Sequence, residues 1–288
     1  MRDSIVNLIK RDDPQFPPLF REIGNCPEAV YVKGDVGILG EAVLRVAIVG
    51  TRKASAVGRK IAEQLAKELA GRGVVIVSGL AFGIDQAAHR GCLAGGGRTV
   101  AVLAGGLDKI YPQEHFSLAE EILEKGGALI SEYPPGTPSF AQQFLQRNRL
   151  ISGLVQAVII VEAPEKSGAL NTAAHALEQN REVFIVPGPI NHPNYVGSHR
   201  LIRDGATLIT GASDILEALG LASNGGQSYK LTPEGEQVAT VINQAGKSLS
   251  VDEIYQLTGL PLPVVNQTLA LLLVEGAIIE ENGKYIII

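Results

Sequence analysis

From Leu44 onward, short apolar runs rich in β-branched residues alternate with segments whose apolar residues recur every three or four positions. The run at 44–50 predicts a buried parallel strand, because it is apolar on both faces. The following segment, 54–72, has apolar residues at helical spacing. The alternation continues to residue 219, so we expect an α/β domain with a mostly parallel sheet and helices on both faces.

Further segments flank this core domain, which we place at 44–220. Residues 1–43 contain scattered prolines and one short strand signal, and they predict an N-terminal arm that packs on the core. Residues 221–228 have the composition of a linker. Residues 229–288 contain three helical segments and an Asn-Gly turn between two β-type runs, which predicts a small winged-helix domain.

Composition and missing motifs narrow the functional classes. The net charge of −5 means that any contact with nucleic acid must come from a local basic patch. The sequence lacks the GxxxxGK[ST], GxSxG and HExxH motifs, and no GxGxxG follows the first strand, so a conventional nucleotide or hydrolase site is not expected. Cys26 and Cys92 have no partner spacing, and no apolar stretch approaches the ~20 residues of a membrane helix. We expect a cytoplasmic protein without a metal, a cofactor or membrane contact.

Small and polar residues recur where the predicted strands end and the next helices begin. These candidates are Gly50, Thr51 and Arg52 after the first strand, Ser78, Gly79, Ala81 and Gly83 after the second, and Lys166, Ser167 and Gly168 after the fifth. Ligands of open α/β sheets bind at this edge, and backbone N–H groups at helix N-termini suit phosphates. The pattern predicts a site for phosphates spread over several ångströms, as in a strand of nucleic acid.

Two guanidiniums and an amide fall within one helical turn at Arg147, Asn148 and Arg149. Guanidinium forks pair with phosphate oxygens and stack on bases. Together with Arg52 and Lys166, these arginines are expected to supply the positive charge of the site. The aromatic candidates for stacking a base are Phe82, Phe140 and Phe144.

These motifs together closely resemble the DprA/Smf family, the DNA-processing proteins of bacterial natural transformation. The resemblance covers about residues 10–215 and rests on Gly50-Thr-Arg52, the segment from Ser78 to His89, Asp108-Lys-Ile-Tyr111-Pro112, Ser131-Glu-Tyr-Pro134, the segment from Arg147 to Gly153, Ser167-Gly-Ala-Leu-Asn-Thr172 and Val186-Pro-Gly188. It implies an extended Rossmann-like domain that binds single-stranded DNA, forms a homodimer and loads the recombinase RecA onto that DNA. It implies a binding protein rather than an enzyme.

Carried onto this chain, the resemblance places DNA against Thr51 and Arg52, the 78–83 loop, the helical turn from Arg147 to Arg149, and residues 166–168. The chain departs from the family where Thr51 replaces the usual serine and where His199 replaces the usual asparagine. The helical domain that often precedes the arm in the family is missing, so no function of that domain is expected.

Two alternatives remain open from the residues alone. The first is a nucleotide-processing Rossmann-like hydrolase that cleaves a nucleoside monophosphate, with Asp85, His89 or Glu162 as the acid or base. The second is a small-ligand sensor whose winged helix binds duplex DNA. The charge of the C-terminal segment opposes the second, because residues 229–288 carry three lysines and seven acidic residues. Its predicted recognition helix, 261–275, contains no Lys or Arg, so we expect it to contact a protein rather than a duplex.

Overall fold

A computed structural model of the chain describes residues 6–220, 232–245, 247–274, 278–281 and 283–287. The chain divides into two compact units, Met1–Leu219 and Gly220–Ile288. The predicted linker at 221–228 lies outside the described residues. Within the described ranges, no helix combines the length and the apolar character needed to cross a membrane.

The first unit is built on one large sheet. Its strands are β1 (Val6–Lys10), β2 (Ala29–Gly34), β3 (Arg45–Val49), β4 (Val75–Ser78), β5 (Thr99–Val102), β6 (Ala128–Ser131), β7 (Ala157–Ile160), β8 (Glu182–Ile185) and β9 (Thr207–Leu208). They lie in the order β1-β2-β6-β5-β4-β3-β7-β8-β9. All neighbours from β6 across to β9 pair in parallel, and β1 and β2 add an antiparallel edge. The predicted mostly parallel sheet is confirmed.

Helices cover both faces of this sheet, as the sequence predicts. They are α1 (Ala56–Gly71), α2 (Ile84–Ala94), α3 (Phe116–Glu124), α4 (Ala141–Gly153), α5 (Gly168–Glu178), α6 (Val196–Arg203) and α7 (Ala212–Ala218). Side chains of β3 alternate between the faces. Val46 and Ile48 enter a core shared with α1, α2 and α7, whereas Ala47 and Val49 enter a core shared with α4 and α5. Burial on both faces explains why the strand is apolar from Val46 to Val49.

The N-terminal arm is built into the edge of the first unit. Strand β2 pairs with β6, and β1 pairs with β2, so the arm contributes two strands rather than the one that the sequence predicts. Phe16, Phe20 and Ile23 are buried in the same core as α4. A Cβ at Gly153 of that helix would lie 3.0 Å from Ile23 and 3.2 Å from Phe20. The arm and α4 are therefore in close contact.

A fully buried arginine in β3 anchors the C-terminal end of the arm. Arg45 at the start of β3 donates from Nε to the Leu154 carbonyl (2.6 Å) and from Nη1 to the carbonyls of Gly40 (2.6 Å) and Ile38 (3.3 Å). Burial, and then the nearby charge of Arg181, lowers the pKa of Arg45 to about 10, so it stays protonated at neutral pH. One side chain thus joins the arm, β3 and the end of α4.

The second unit combines three helices with a small sheet. Its elements are α8 (Pro233–Ala245), β10 (Leu249–Ser250), α9 (Val251–Thr258), α10 (Leu262–Val274), β11 (Ile278–Glu281) and β12 (Lys284–Ile287), with strand order β10-β12-β11. Ser250 caps α9, since its Oγ accepts from the Glu253 N–H (3.3 Å) while the Glu253 carboxylate accepts from the Ser250 N–H (2.8 Å). The helices fall where the sequence predicts them, and the winged-helix assignment remains a prediction. Asn282 of the predicted turn lies outside the described residues.

Arg45→Met is expected to lower the free energy of unfolding by about 3 kcal/mol, because it leaves three carbonyl oxygens without their donor. Urea denaturation followed by circular dichroism measures the loss. Arg98→Met is the matched control, since Arg98 pairs with Asp35 at the surface with both side chains nearly half exposed, and it is expected to cost under about 1 kcal/mol. Equal losses in the two variants would contradict the anchoring role of Arg45.

Candidate nucleic-acid interface

A cleft of about 500 Å³ opens at the carboxyl ends of the central strands. From β3 the chain builds the sheet outward through β4, β5 and β6, and it then returns to the other side of β3 to add β7, β8 and β9. The order of strands therefore reverses between β3 and β7, and open α/β sheets bind ligands at such a reversal. The walls of the cleft come from the turn after β3, from α4 and from the start of α5.

Most of the residues that the sequence predicts for the site lie together in this cleft. They are Gly50, Thr51, Arg52, Ala81, Phe144, Arg147, Asn148, Lys166, Ser167 and Gly168. The other four, Ser78, Gly79, Gly83 and Arg149, do not line it. Residues so far apart in sequence meet because parallel strands end at one edge of the sheet.

Three of these four residues shape the loop between β4 and α2. Ser78 is buried, and its Oγ donates to the Ile48 carbonyl (2.7 Å). A Cβ at Gly79 would lie 2.7 Å from both the Arg147 guanidinium and the Asp85 carboxylate. Gly83 has a φ of 80°, and a Cβ there would clash with the Thr51 carbonyl. These residues are needed for close backbone packing and do not face the cleft.

Arg149 does not line the cleft, and its contact with a phosphate remains a prediction. Its guanidinium donates to both carboxylate oxygens of Glu132 (2.6 and 2.5 Å) and to the Asn25 carbonyl (2.6 Å). It lines a neighbouring pocket with Asn25, Glu132 and His175. Arg147 and Arg149 lie on different sides of α4, since helical residues two positions apart do not face each other. The Glu132 carboxylate neutralises Arg149.

Arg147 lines the cleft, but its guanidinium is hydrogen-bonded within the protein. It is 4 % exposed and donates from Nη1 to the carbonyls of Gly79 (2.8 Å) and Val102. Burial lowers the pKa of Arg147 to about 10, although Asp85 opposes this change. Burial also raises the pKa of Asp85, whose carboxylate accepts from the N–H groups of Gly79 (3.1 Å) and Ala81 (3.4 Å). Arg147 therefore braces the loop after β4.

Arg52 is the exposed arginine of the cleft. Its guanidinium lies 4.8 Å from the centre of the Phe144 ring, at cation–π distance. The same ring is 5.8 Å from the Arg147 guanidinium and 5.5 Å from the ring of Tyr111. The Phe144 ring thus holds the Arg52 guanidinium through a cation–π contact. This contact covers part of the Phe144 ring, so less of the ring is free to stack on a base than the sequence suggests.

The start of α5 provides the opposite wall. Ser167 caps the helix by accepting from the Ala169 N–H (3.2 Å), and Lys166 beside it is exposed. Asn148 holds this turn against α4, because its Nδ2 donates to the Gly168 carbonyl and the Asn171 Oδ1, both at 3.2 Å. The N-terminus of an α-helix next to a lysine favours an anionic ligand.

The three candidates for acid or base catalysis have structural partners. His89 Nδ1 is bonded to Thr99 Oγ1 (2.7 Å), and burial lowers the pKa of His89 to about 3, so it is neutral and does not pair with Asp85. Glu162 is buried and accepts from the Ser55 N–H (2.9 Å), the Ser55 Oγ (2.5 Å) and Asn194 Nδ2 (2.9 Å). Burial opposes its charge, but these bonds outweigh burial and lower the pKa of Glu162.

Two features of the site were not predicted. Helix α4 begins at Ala141 rather than at Arg147, because the Gln143 side chain accepts from the Phe140 N–H (2.5 Å) and stabilises the first turn. The second feature is Tyr111, which lines the cleft and is 55 % exposed. Its signal in the sequence was the Tyr-Pro pair that follows β5, which belongs to the motifs shared with the family.

Exposed cations and a helix N-terminus at the strand reversal of a mostly parallel sheet are features that favour phosphate-bearing ligands. The family model described as DNA recombination-mediator protein A matches residues 7–220. The chain belongs to this family, which confirms the resemblance found in its motifs.

Relatives cover most of the chain. Protein Smf of Escherichia coli (strain K12) is 39% identical over an alignment of 289 residues, and the match covers 97% of this chain and 77% of Smf. DNA processing protein DprA of Bacillus subtilis (strain 168) is 43% identical over 218 residues, which are 76% of this chain and 73% of that protein.

Two solved structures share the fold. The X-ray structure of DNA processing protein A from Streptococcus pneumoniae superposes with a TM-score of 0.69 at 39% identity and covers 74% of each chain. DNA processing protein A from Helicobacter pylori, whose structure was analysed for its single-stranded DNA binding mode, superposes with a TM-score of 0.67 at 31% identity. That match covers 75% of this chain and 96% of the other.

Arg147→Ala is expected to lower the free energy of unfolding by about 3 kcal/mol, because it leaves the buried carbonyls of Gly79 and Val102 without their donor. Arg52→Ala is expected to cost under about 1 kcal/mol, since it removes one exposed cation–π contact. Urea denaturation of both variants checks the difference. An Arg147→Ala variant as stable as Arg52→Ala would refute the bracing role.

Glu162→Gln is expected to lower stability by about 2 kcal/mol at neutral pH, because an amide cannot accept from all the donors that the carboxylate satisfies. The pKa of Glu162 is lowered in the folded protein, so its contribution is present above the ordinary glutamate pKa of about 4.3 and is lost as the pH falls below it. Denaturation of both proteins between neutral and acid pH measures this change. A difference that did not vary with pH would argue against a buried carboxylate.

Proposed function

We propose that this protein binds single-stranded DNA in the cleft and acts as a mediator of recombination during DNA uptake. The observation that carries the proposal is the position of Arg52, Lys166 and the α5 N-terminus around the strand reversal of a chain in this family. A relative from Helicobacter pylori was analysed for binding of single-stranded DNA. The cleft offers the chemistry that such a ligand requires.

Phosphates are recognised by charge and by fixed donors. Arg52, supported by the Phe144 ring, and Lys166 are the two exposed cations that line the described cleft. Thr51 and the backbone N–H groups at the start of α5 provide neutral donors. None of these groups reads a base edge, so binding is expected to tolerate any sequence and to weaken with salt.

We further propose that the protein acts as a cytoplasmic homodimer and delivers the strand to the recombinase RecA. These two points rest on the family resemblance alone. Sedimentation analysis tests the dimer, and RecA filament formation on DNA coated with single-strand binding protein tests the delivery. A monomer that does not accelerate filament formation would refute both.

The second unit is proposed to be a winged helix that contacts a protein. Helix α10 contains no lysine or arginine from Leu262 to Val274, and it therefore lacks the cations that a duplex-reading helix uses on phosphates. The absence of duplex binding by the full chain is the expected result. Tight binding to a duplex operator would favour the sensor alternative.

The proposed activity is binding rather than catalysis. The alternative, cleavage of a nucleoside monophosphate, needs an available acid or base in the cleft. Glu162 and His89 are instead engaged by Ser55, Asn194 and Thr99, and this arrangement favours a structural role. Release of a free base from a nucleotide, abolished in Glu162→Gln, would restore the enzyme interpretation.

Single-strand binding is tested by fluorescence anisotropy of a labelled oligo-dT and of a matched duplex across a salt series. The single strand is expected to bind more tightly, and Arg52→Ala and Lys166→Ala are each expected to weaken it about ten-fold. Each loss should also reduce the slope of log affinity against log salt by about 0.7, the value for one phosphate contact on a single strand.

The matched controls are Arg72→Ala and Lys125→Ala, two exposed cations just beyond the C-terminal ends of α1 and α3. Because α1 and α3 lead into β4 and β6, these residues lie at the amino edge of the sheet, opposite the cleft. They should leave both affinity and slope unchanged. Equal effects of control and cleft variants would place the DNA elsewhere, and no binding at low salt would overturn the proposal.

A further inference from the structure

Two exposed aromatic rings lie beside the cleft and outside the buried hydrophobic core. Tyr111 lines the cleft and is 55 % exposed. Phe82 is 41 % exposed and directly follows Ala81, another lining residue. Exposed aromatic side chains add little to the stability of a monomer, because most of their surface stays in water. We call this pair the aromatic ledge.

The ledge and Phe140 at the start of α4, which is 62 % exposed, provide accessible aromatic surface at this edge. The ring of Phe144, which with Phe82 and Phe140 was predicted to stack a base, already contacts Arg52, Arg147 and Tyr111. Tyr111 contacts Phe144 at 5.5 Å and is otherwise more than half exposed. Tyr111 therefore offers a base more free ring surface than Phe144 does.

The second ring of the ledge is held in place from behind. Phe82 packs edge to face on the buried ring of His115, with the ring centres 4.7 Å apart. His115 Nδ1 donates in turn to the carbonyl of Leu80 (2.8 Å). This bond ties the turn that follows Tyr111 to the loop that carries Phe82. Stacking on a ring that is already fixed costs little conformational entropy.

Charge is distributed unequally around the cleft. The exposed cations Arg52 and Lys166 lie with the turn after β3 and the start of α5. The charged side chains near Tyr111 in the sequence are Asp108, Lys109 and Glu114. Two carboxylates and one lysine do not attract an anion. Phosphates are therefore drawn to the cationic walls, and bases are left to face the aromatic ledge.

We propose that the aromatic ledge stacks the bases of nucleotides that flank the one in the cleft, with Tyr111 as the first step and Phe82 as the next. The ledge rests on the proposed single-strand binding. It extends the binding site beyond the cleft and directs the strand from the cleft over Tyr111 to Phe82. It is specific for unpaired nucleic acid, because the faces of paired bases in a duplex are covered by their neighbours. The alternative occupant, a partner protein, is an outcome of the test.

The test compares thymidine monophosphate, a single nucleotide, with an oligo-dT of about sixteen nucleotides, the upper limit of typical single-strand sites. Tyr111→Ala and Phe82→Ala are each expected to weaken binding of the oligonucleotide about ten-fold, the loss of one stacked base. Binding of the single nucleotide should be much less affected, since the cleft alone accommodates it. The salt dependence should not change, because no phosphate contact is lost.

Two variants separate stacking from other roles. Tyr111→Phe keeps the ring and should bind as the wild type does, whereas loss in this variant would assign the effect to the hydroxyl group. Tyr255→Ala removes a tyrosine of similar exposure on α9 and should have no effect. The fluorescence of 2-aminopurine placed beside the cleft-bound nucleotide should be quenched by the wild type and less so by Tyr111→Ala.

The outcomes distinguish the ledge from the proposed function. If the wild type binds single strands and Arg52→Ala weakens them while both ledge variants bind normally, the ledge is wrong and the cleft stands. If ledge variants bind DNA normally but no longer support RecA filament formation, the surface belongs to a protein partner and the ledge is equally wrong. If the folded wild type binds no single strand, the proposed function fails and the ledge fails with it.

Discussion

The reversal of strand order beside β3 is the constraint on which the candidate site depends. Because the chain leaves β3 in one direction and returns on its other side as β7, the loops after these two strands diverge. The cleft between these loops is therefore a consequence of the strand order and does not require a particular side chain. Everything else at the site, including the arginine brace and the helix N-terminus, is arranged around a gap that the sheet itself creates.

Burial decides what each arginine near the cleft does. Arg147 is enclosed and holds two backbone carbonyls beside Asp85, so its charge is used inside the fold. Arg149 is paired with Glu132 on another side of the same helix. Arg52 remains exposed, and its position over Phe144 fixes the direction of its guanidinium. Three arginines that look equivalent in the sequence thus have different positions. Arg147 braces a buried loop, Arg149 forms an ion pair, and Arg52 faces the cleft.

The sequence predicts the alternating strands and helices of the first unit, because their apolar patterns reflect burial directly. It misses β1, where the exposed Leu8 stands beside the buried Ile9, so that the apolar residues do not alternate with burial. It also misses the first turns of α4, where the residues from Ala141 to Gln146 are exposed or half-buried and the start is set by Gln143. Ten of the fourteen predicted site residues line the cleft, since strand ends can be read from the same patterns.

The sequence by itself determined the family, the parallel sheet and the row of small and cationic residues at the strand ends, because these depend on local pattern. Arg147 and Arg149 were both predicted to contact the ligand, because the pattern of one helix does not show which of its sides faces the strand ends. Only the tertiary structure decided which of them faces inward and that Tyr111 lines the cleft. Those outcomes depend on Val102, Glu132 and other residues distant in the chain, and a contact between distant residues leaves no periodic signal in the sequence.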